Sequence, residues 1–168
     1  MVAKISIGNS LYGALTYNGE KINKEKGRLL DTNKIYNDGS GSVDIHRAYE
    51  DFMRWIPSSS RTERPMMHIS LNPHPDDKLS DTDFTRLAHE YMEKMGFADM
   101  PYMIYKHSDI DRHHVHIVAL RVGTDGRCIS DRNNFYKNKK VCRELEKKYG
   151  LKVAEREKIT PDMPIKKV

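Results

Sequence analysis

Two strand-like runs separated by a short polar stretch constrain this chain more than any other feature. Pro101-Tyr-Met-Ile-Tyr-Lys-His107 is followed by Ser-Asp-Ile-Asp-Arg112, and then by His113-His-Val-His-Ile-Val-Ala-Leu120. This arrangement predicts a β-hairpin over 101–107 and 113–122. Residues at i and i+2 of a strand share a face, so His114 and His116 project together while His113 and Val115 project the other way. The turn returns the chain so that His107 arrives beside His114, about 5 Å away at Cβ. Three imidazoles at that spacing can hold one metal ion. Three neutral nitrogens with coordination positions left over describe a catalytic site rather than a closed structural one.

The rest of the chain supplies a sheet and helices for that hairpin. Residues 2–8 alternate as a strand, and Ser10 can cap a short helix over 11–17. Residues 19–41 are rich in Lys, Asn and Gly and read as a long loop. Ser42 can cap a helix reaching Trp55, with Ile45, Ala48, Phe52 and Trp55 as its apolar stripe. Met66–Asn72 reads as a strand ended by Pro73. Residues 81–95 form the clearest helix, with Phe84, Leu87, Ala88, Tyr91, Met92 and Met95 at helical spacing and Gly96 as its stop. Gly123-Thr-Asp-Gly126 signals a turn before a short third strand at 127–130. A last helix runs from Arg132 to Tyr149, lined by Phe135, Cys142, Leu145 and Tyr149. The expected fold is α+β: a central, largely antiparallel β-sheet with helices packed on one face and the three-His site on the other.

Composition narrows the function classes. A length of 168 residues fits one domain. The hydrophobic fraction is 38 % and the charged fraction 32 %, which indicates a wet surface around a modest core. The net charge of +5 suits an anionic partner such as nucleic acid, and equally an ordinary solvated surface. Two cysteines, Cys128 and Cys142, form no paired motif, so a reducing, cytoplasmic setting is expected. No run approaches the roughly 18 apolar residues of a membrane span, and the start carries no secretory pattern. His46, His68, His74 and His89 read as structural or surface histidines.

The pattern His107-x-Asp109-x-x-x-x-His114-x-His116-Ile117 resembles the metal motif of the relaxase/mobilisation nucleases of plasmids and integrative elements. These belong to the HUH endonucleases, named for two histidines flanking one apolar residue. Leu15-Thr-Tyr17-Asn-Gly-Glu-Lys21 resembles the family's N-terminal nucleophile motif. Met67-His-Ile-Ser-Leu71 resembles its intermediate strand, and Arg143-Glu-Leu-Glu-Lys-Lys-Tyr-Gly-Leu151 its closing helix. The resemblance covers roughly residues 1–155. It implies a nuclease domain there, and a tail at 156–168 that leads into further domains of a longer protein.

The resemblance also implies an activity: nicking one DNA strand at an origin of transfer, retention of the 5′ phosphate on tyrosine, and later religation. Tyr17 is then the nucleophile, with Tyr12 as the alternative. His107, His114 and His116 hold a divalent ion, Mn²⁺ or Mg²⁺ in the cell, with Zn²⁺ or Ni²⁺ admissible. Asp109 supports a ligand histidine by accepting its second N–H, and Asp111 is a weaker candidate for that task. Lys21, Lys24, Lys26 and Arg28, with Arg132, Lys139, Lys140 and Arg143 on the final helix, would follow the phosphates of single-stranded DNA. Tyr102, Tyr105, Phe135 or Trp55 could stack on bases. Relaxosome accessory proteins and a coupling protein are the further partners implied, and no membrane. Rival readings are a three-His metal hydrolase of a small molecule, a non-catalytic DNA-binding module, and a rolling-circle replication initiator, whose tyrosine usually follows its histidines.

Overall fold

Five antiparallel strands form one sheet in the order β1-β3-β5-β4-β2. The strands are β1 (Val2–Gly8), β2 (Gly27–Asn33), β3 (Met66–Asn72), β4 (Tyr102–His107) and β5 (His114–Leu120). Among the described residues, three full helices accompany them: α1 (Ile45–Arg54), α2 (Asp81–Lys94) and α3 (Asn134–Tyr149). The computed structural model describes residues 1–8, 13, 15, 17–18, 27–60, 62, 64–107, 113–129 and 134–154.

The central hairpin forms because β4 and β5 are apolar on both faces. Tyr102, Met103, Ile104 and Tyr105 are buried along β4, as are Val115, Ile117, Val118, Ala119 and Leu120 along β5. Such strands belong in mid-sheet with both surfaces covered. β1, by contrast, alternates: Ala3 is buried while Val2 and Lys4 are exposed, the pattern of an edge strand with one wet face.

Register identifies the two faces, because directly paired residues share a side. His107 pairs with His114, Tyr105 with His116, and His116 with Ser70. Lys106, Tyr102 and Asp31 have the opposite parity, and these are the residues α2 touches. His89 of α2 lies 2.5 Å from the Tyr102 hydroxyl and 2.6 Å from Asp31, while Lys106 reaches Asp81 at 2.6 Å. α3 packs beside α2, joined by a bond from the Tyr91 hydroxyl to Asn138, and Asn138 also donates to the Ala3 carbonyl. α2 and α3 thus cover the face turned away from the histidines. α1 lies on the histidine side, where Ala48 and Arg47 share a cavity of about 150 Å³ with Leu29 and Met103, so the helices are not confined to the face opposite the histidines as the sequence pattern leads one to expect.

Caps fix where the helices begin. Ser80 accepts from the Asp83 N–H at the start of α2, as expected for that residue type. α1 starts two residues later than the reading from Ser42: Asp44 is its cap and accepts from the Arg47 N–H.

Two elements differ from the sequence reading. Residues 27–33 lie inside the stretch read as a loop, yet form edge strand β2 against β4, with a register shift between Leu29 and Asp31. That irregularity, and polar Asp31, Thr32 and Asn33, conceal the alternation. The expected third strand reduces to an isolated bridge between Val122 and Cys128. Phe135, read as part of the apolar face of the last helix, is 62 % exposed. Among the described residues, no helix is long and apolar enough to cross a membrane.

Candidate metal centre

The histidine cluster sits where the β4–β5 hairpin reaches its turn. The pairing His107↔His114 fixes one cross-strand contact, and the two-residue strand period brings His116 in behind it. Ring centroids are 5.5 Å apart for His107–His114, 4.2 Å for His107–His116 and 4.7 Å for His114–His116. One nitrogen from each ring lies within 4.8 Å of the others. His107 is wholly buried, whereas His114 and His116 are half-buried, so the cluster has a dry floor and an open side.

Close backbone approach helps form that floor. Gly27 is the β2 partner of His107. A Cβ built on Gly27 would lie 2.3 Å from the Lys106 carbonyl oxygen, so a side chain there would push β2 away from β4 beside the deepest histidine.

The donor set fits a divalent ion. A metal bound by imidazoles at about 2.1 Å holds their nitrogens roughly 3–4 Å apart, so modest side-chain rotation closes the observed triangle. Nitrogen-only donation suits Mn²⁺, Zn²⁺ or Ni²⁺ better than Mg²⁺, which favours oxygen. Among the described residues the cluster contains only these three histidines.

A fourth histidine stands beside the cluster. His68 occupies β3 opposite Val118, one diagonal step from His116 on the same face. Its ring stacks on that of His116 at 4.8 Å and 25°, and its Nε2 lies 3.0 Å from His116 Nδ1. Burial pushes the His68 imidazole below its ordinary pKa, favouring the neutral ring. The sequence reading assigned His68 a structural or surface role. The available signal was its parity within Met67-His-Ile-Ser-Leu71, but using it requires the β3–β5 register.

Tyr17 is helical, and its ring is 55 % exposed between buried Leu15 and Asn18. Tyr12, Lys21, Lys24, Lys26, Asp109, Asp111 and Arg132 lie outside the described residues. Arg28 pairs with Asp81 at 3.2 Å. Lys139, Lys140 and Arg143 are on α3, in the layer across the sheet from the histidines. There Lys139 lies over the Phe135 ring and Arg143 pairs with buried Glu146. Tyr102 and Tyr105 are core residues, 3 % and 0 % exposed, so they present no face to a base. Burial, the first cause in each case, raises both phenols, Tyr102 to about 12.

Residues 17–151 match the family model for relaxases described as MobA/VirD2-like, nuclease domain. The chain belongs to this family. The span of the match contains Tyr17 and all three clustered histidines. A search of curated proteins gave no match. Relaxase nuclease domains cut DNA for mobilisation, and a three-histidine cluster in one of them suggests a divalent metal ion.

Proposed function

We propose that this relaxase domain nicks one strand of an origin of transfer, in the cytoplasm, through a 5′-phosphotyrosine link on Tyr17. The observation that carries the reading is the three-histidine cluster at the open end of the sheet, in a chain of the MobA/VirD2-like family. A divalent ion held by His107, His114 and His116 would supply positive charge to the non-bridging oxygens of the scissile phosphate and orient it.

The remaining steps belong to the chain's own residues. The Tyr17 oxygen attacks phosphorus, and its phenolic proton leaves to water. The bond from phosphorus to the 3′ oxygen breaks, and that oxygen takes a proton to become a 3′-hydroxyl. The phosphate ends joined to Tyr17. Religation runs the same exchange backwards, so the energy of the broken bond is retained. A phenoxide leaves more readily than an alkoxide, since a phenol has a pKa near 10. The exposed ring of Tyr17 suits a nucleophile that must meet a polymer. Asp109, two residues beyond His107, would accept a ligand N–H. Lys21, Lys24 and Lys26 lie between Tyr17 and the His107 partner Gly27 in sequence, so we assign them the phosphates nearest the cut, whereas Arg28, opposite Lys106 and paired with Asp81 of α2, adds charge from the helical side. Lys139, Lys140 and Arg143 add positive field from the helical layer, and we assign Arg132 to the same DNA partner.

The test uses Mn²⁺ and labelled single strands spanning the transfer origin of the element that encodes the protein. A covalent adduct that survives denaturation is expected with the wild type and absent with Tyr17→Phe. No wild-type adduct, or an undiminished one in the variant, would overturn the proposal. Retained hydrolysis of a small phosphoester by Tyr17→Phe, without adduct in either protein, would instead favour the hydrolase.

A further inference from the structure

We propose that His68 is a positioning residue that holds His116 as the Nδ1–H tautomer and thereby directs His116 Nε2 to the metal. The inference rests on the metal-centre reading above and adds a residue on a third strand to it.

The geometry admits few alternatives. His116 Nδ1 and His68 Nε2 are 3.0 Å apart, a hydrogen-bond distance for two nitrogens, and one of the two must carry the proton. If His68 Nε2 were the donor, His116 Nδ1 would have to accept. The proton of a neutral His116 would then sit on Nε2, the nitrogen needed by an ion. If His116 donates, its Nε2 carries the lone pair. Its Nδ1 is already committed to His68, so only Nε2 is available as the ligand atom. His68 then carries its own proton on Nδ1 and accepts at Nε2.

Packing holds the arrangement. The two ring centroids lie 4.8 Å apart with 25° between planes, a close packing that restricts rotation of His116 about its side-chain torsions. His68 is anchored on β3 by ladders on both sides, paired with Val118 of β5 and Ser6 of β1. It lies outside the set of three that share a ligand distance, which separates a supporting role from that of a fourth ligand. Ligand histidines commonly donate their second N–H to such a partner, and loss of the partner weakens metal binding by about 10–100-fold.

Two measurements on the full chain test this. Long-range ¹H–¹⁵N spectra of the metal-free wild type should show His116 protonated at Nδ1; protonation at Nε2 would overturn the proposal. Calorimetric titration with Mn²⁺, without DNA, should show a 10–100-fold loss of affinity for His68→Ala at unchanged stoichiometry. His68→Gln, which keeps an acceptor, should recover most of that loss and the Nδ1–H signature. An Ala variant that binds like wild type, or a Gln variant as weak as Ala, would overturn it. Intact metal binding with no covalent adduct in the wild type would remove the nicking reaction and leave the His68 assignment standing.

Discussion

At the residue scale, the metal centre depends on a gradient of burial. His107 is wholly enclosed, while His114 and His116 reach the surface. An ion at such a site binds the folded chain and meets no comparable constellation in the unfolded one, so it stabilises the fold by mass action. At a free concentration of 100 times its dissociation constant, the gain is about 2.7 kcal/mol. Mn²⁺ at that concentration is therefore expected to raise the unfolding midpoint of the wild type in urea, and a chelator to reverse the rise. His114→Ala, at a half-buried position, should remain folded and lose most of the response. An equal metal-induced shift in both proteins would argue against a shared three-histidine site. This part of the molecule was legible in sequence because strand parity is a local property: His-Val-His declares its shared face within three residues. His68 was not. Its contact depends on which residue of β3 lies diagonal to His116, and β3 is separated from β5 by the whole of α2 and β4.

At the scale of elements, β2 decides how tightly the histidine end is closed. The sequence Gly-Arg-Leu-Leu-Asp-Thr-Asn shows no clean alternation, because the register shifts between Leu29 and Asp31 and moves the inward positions by one. An edge strand also gets its stability from its neighbour rather than from its own propensity. For both reasons it reads as loop until β4 is present to pair with it. The long α2 pattern, with Ser80 before it and Gly96 after it, was readable for the opposite reason: its cap, stripe and stop are all local. Gly27 is the residue that lets β2 approach. Because a Cβ there would meet the Lys106 carbonyl at 2.3 Å, and that contact is backbone, a strand must move to relieve it. Gly27→Ala is expected to destabilise the domain by about 1–3 kcal/mol, the usual range for a steric insertion into a packed region. Because the displaced backbone adjoins His107, the same variant should weaken Mn²⁺ binding. Denaturant melts with and without Mn²⁺ measure both effects, and a variant that leaves both unchanged would show that β2 does not set the geometry of the site.

At the scale of the whole molecule, two groups of cations are assigned to DNA. One follows Tyr17 in sequence and leads into Gly27, the partner of His107. The other lies on α3, across the sheet from the histidines. Stacked layers are spaced by about 10 Å, comparable to the Debye length of about 8 Å at physiological salt. Charge on α3 therefore acts on a DNA strand at the histidine face mainly at low salt and long range, where it raises the encounter rate. Several α3 charges are also engaged within the protein: Lys148 with Glu90, and Arg143 with Glu146. The first-loop lysines, by contrast, are assigned direct phosphate contacts, each of which displaces counterions. Replacing Lys21, Lys24 and Lys26 together by Gln is expected to flatten the dependence of log affinity on log salt by about 2, at roughly 0.7 per phosphate contact on a single strand. The Lys139→Gln, Lys140→Gln pair should leave that slope nearly unchanged and slow association only at low ionic strength. Fluorescence anisotropy with a labelled single strand, titrated across salt concentrations, measures both slopes. A larger loss of slope from the α3 pair would place the strand on the helical layer, away from the histidines, and would separate binding from the nicking chemistry assigned to them.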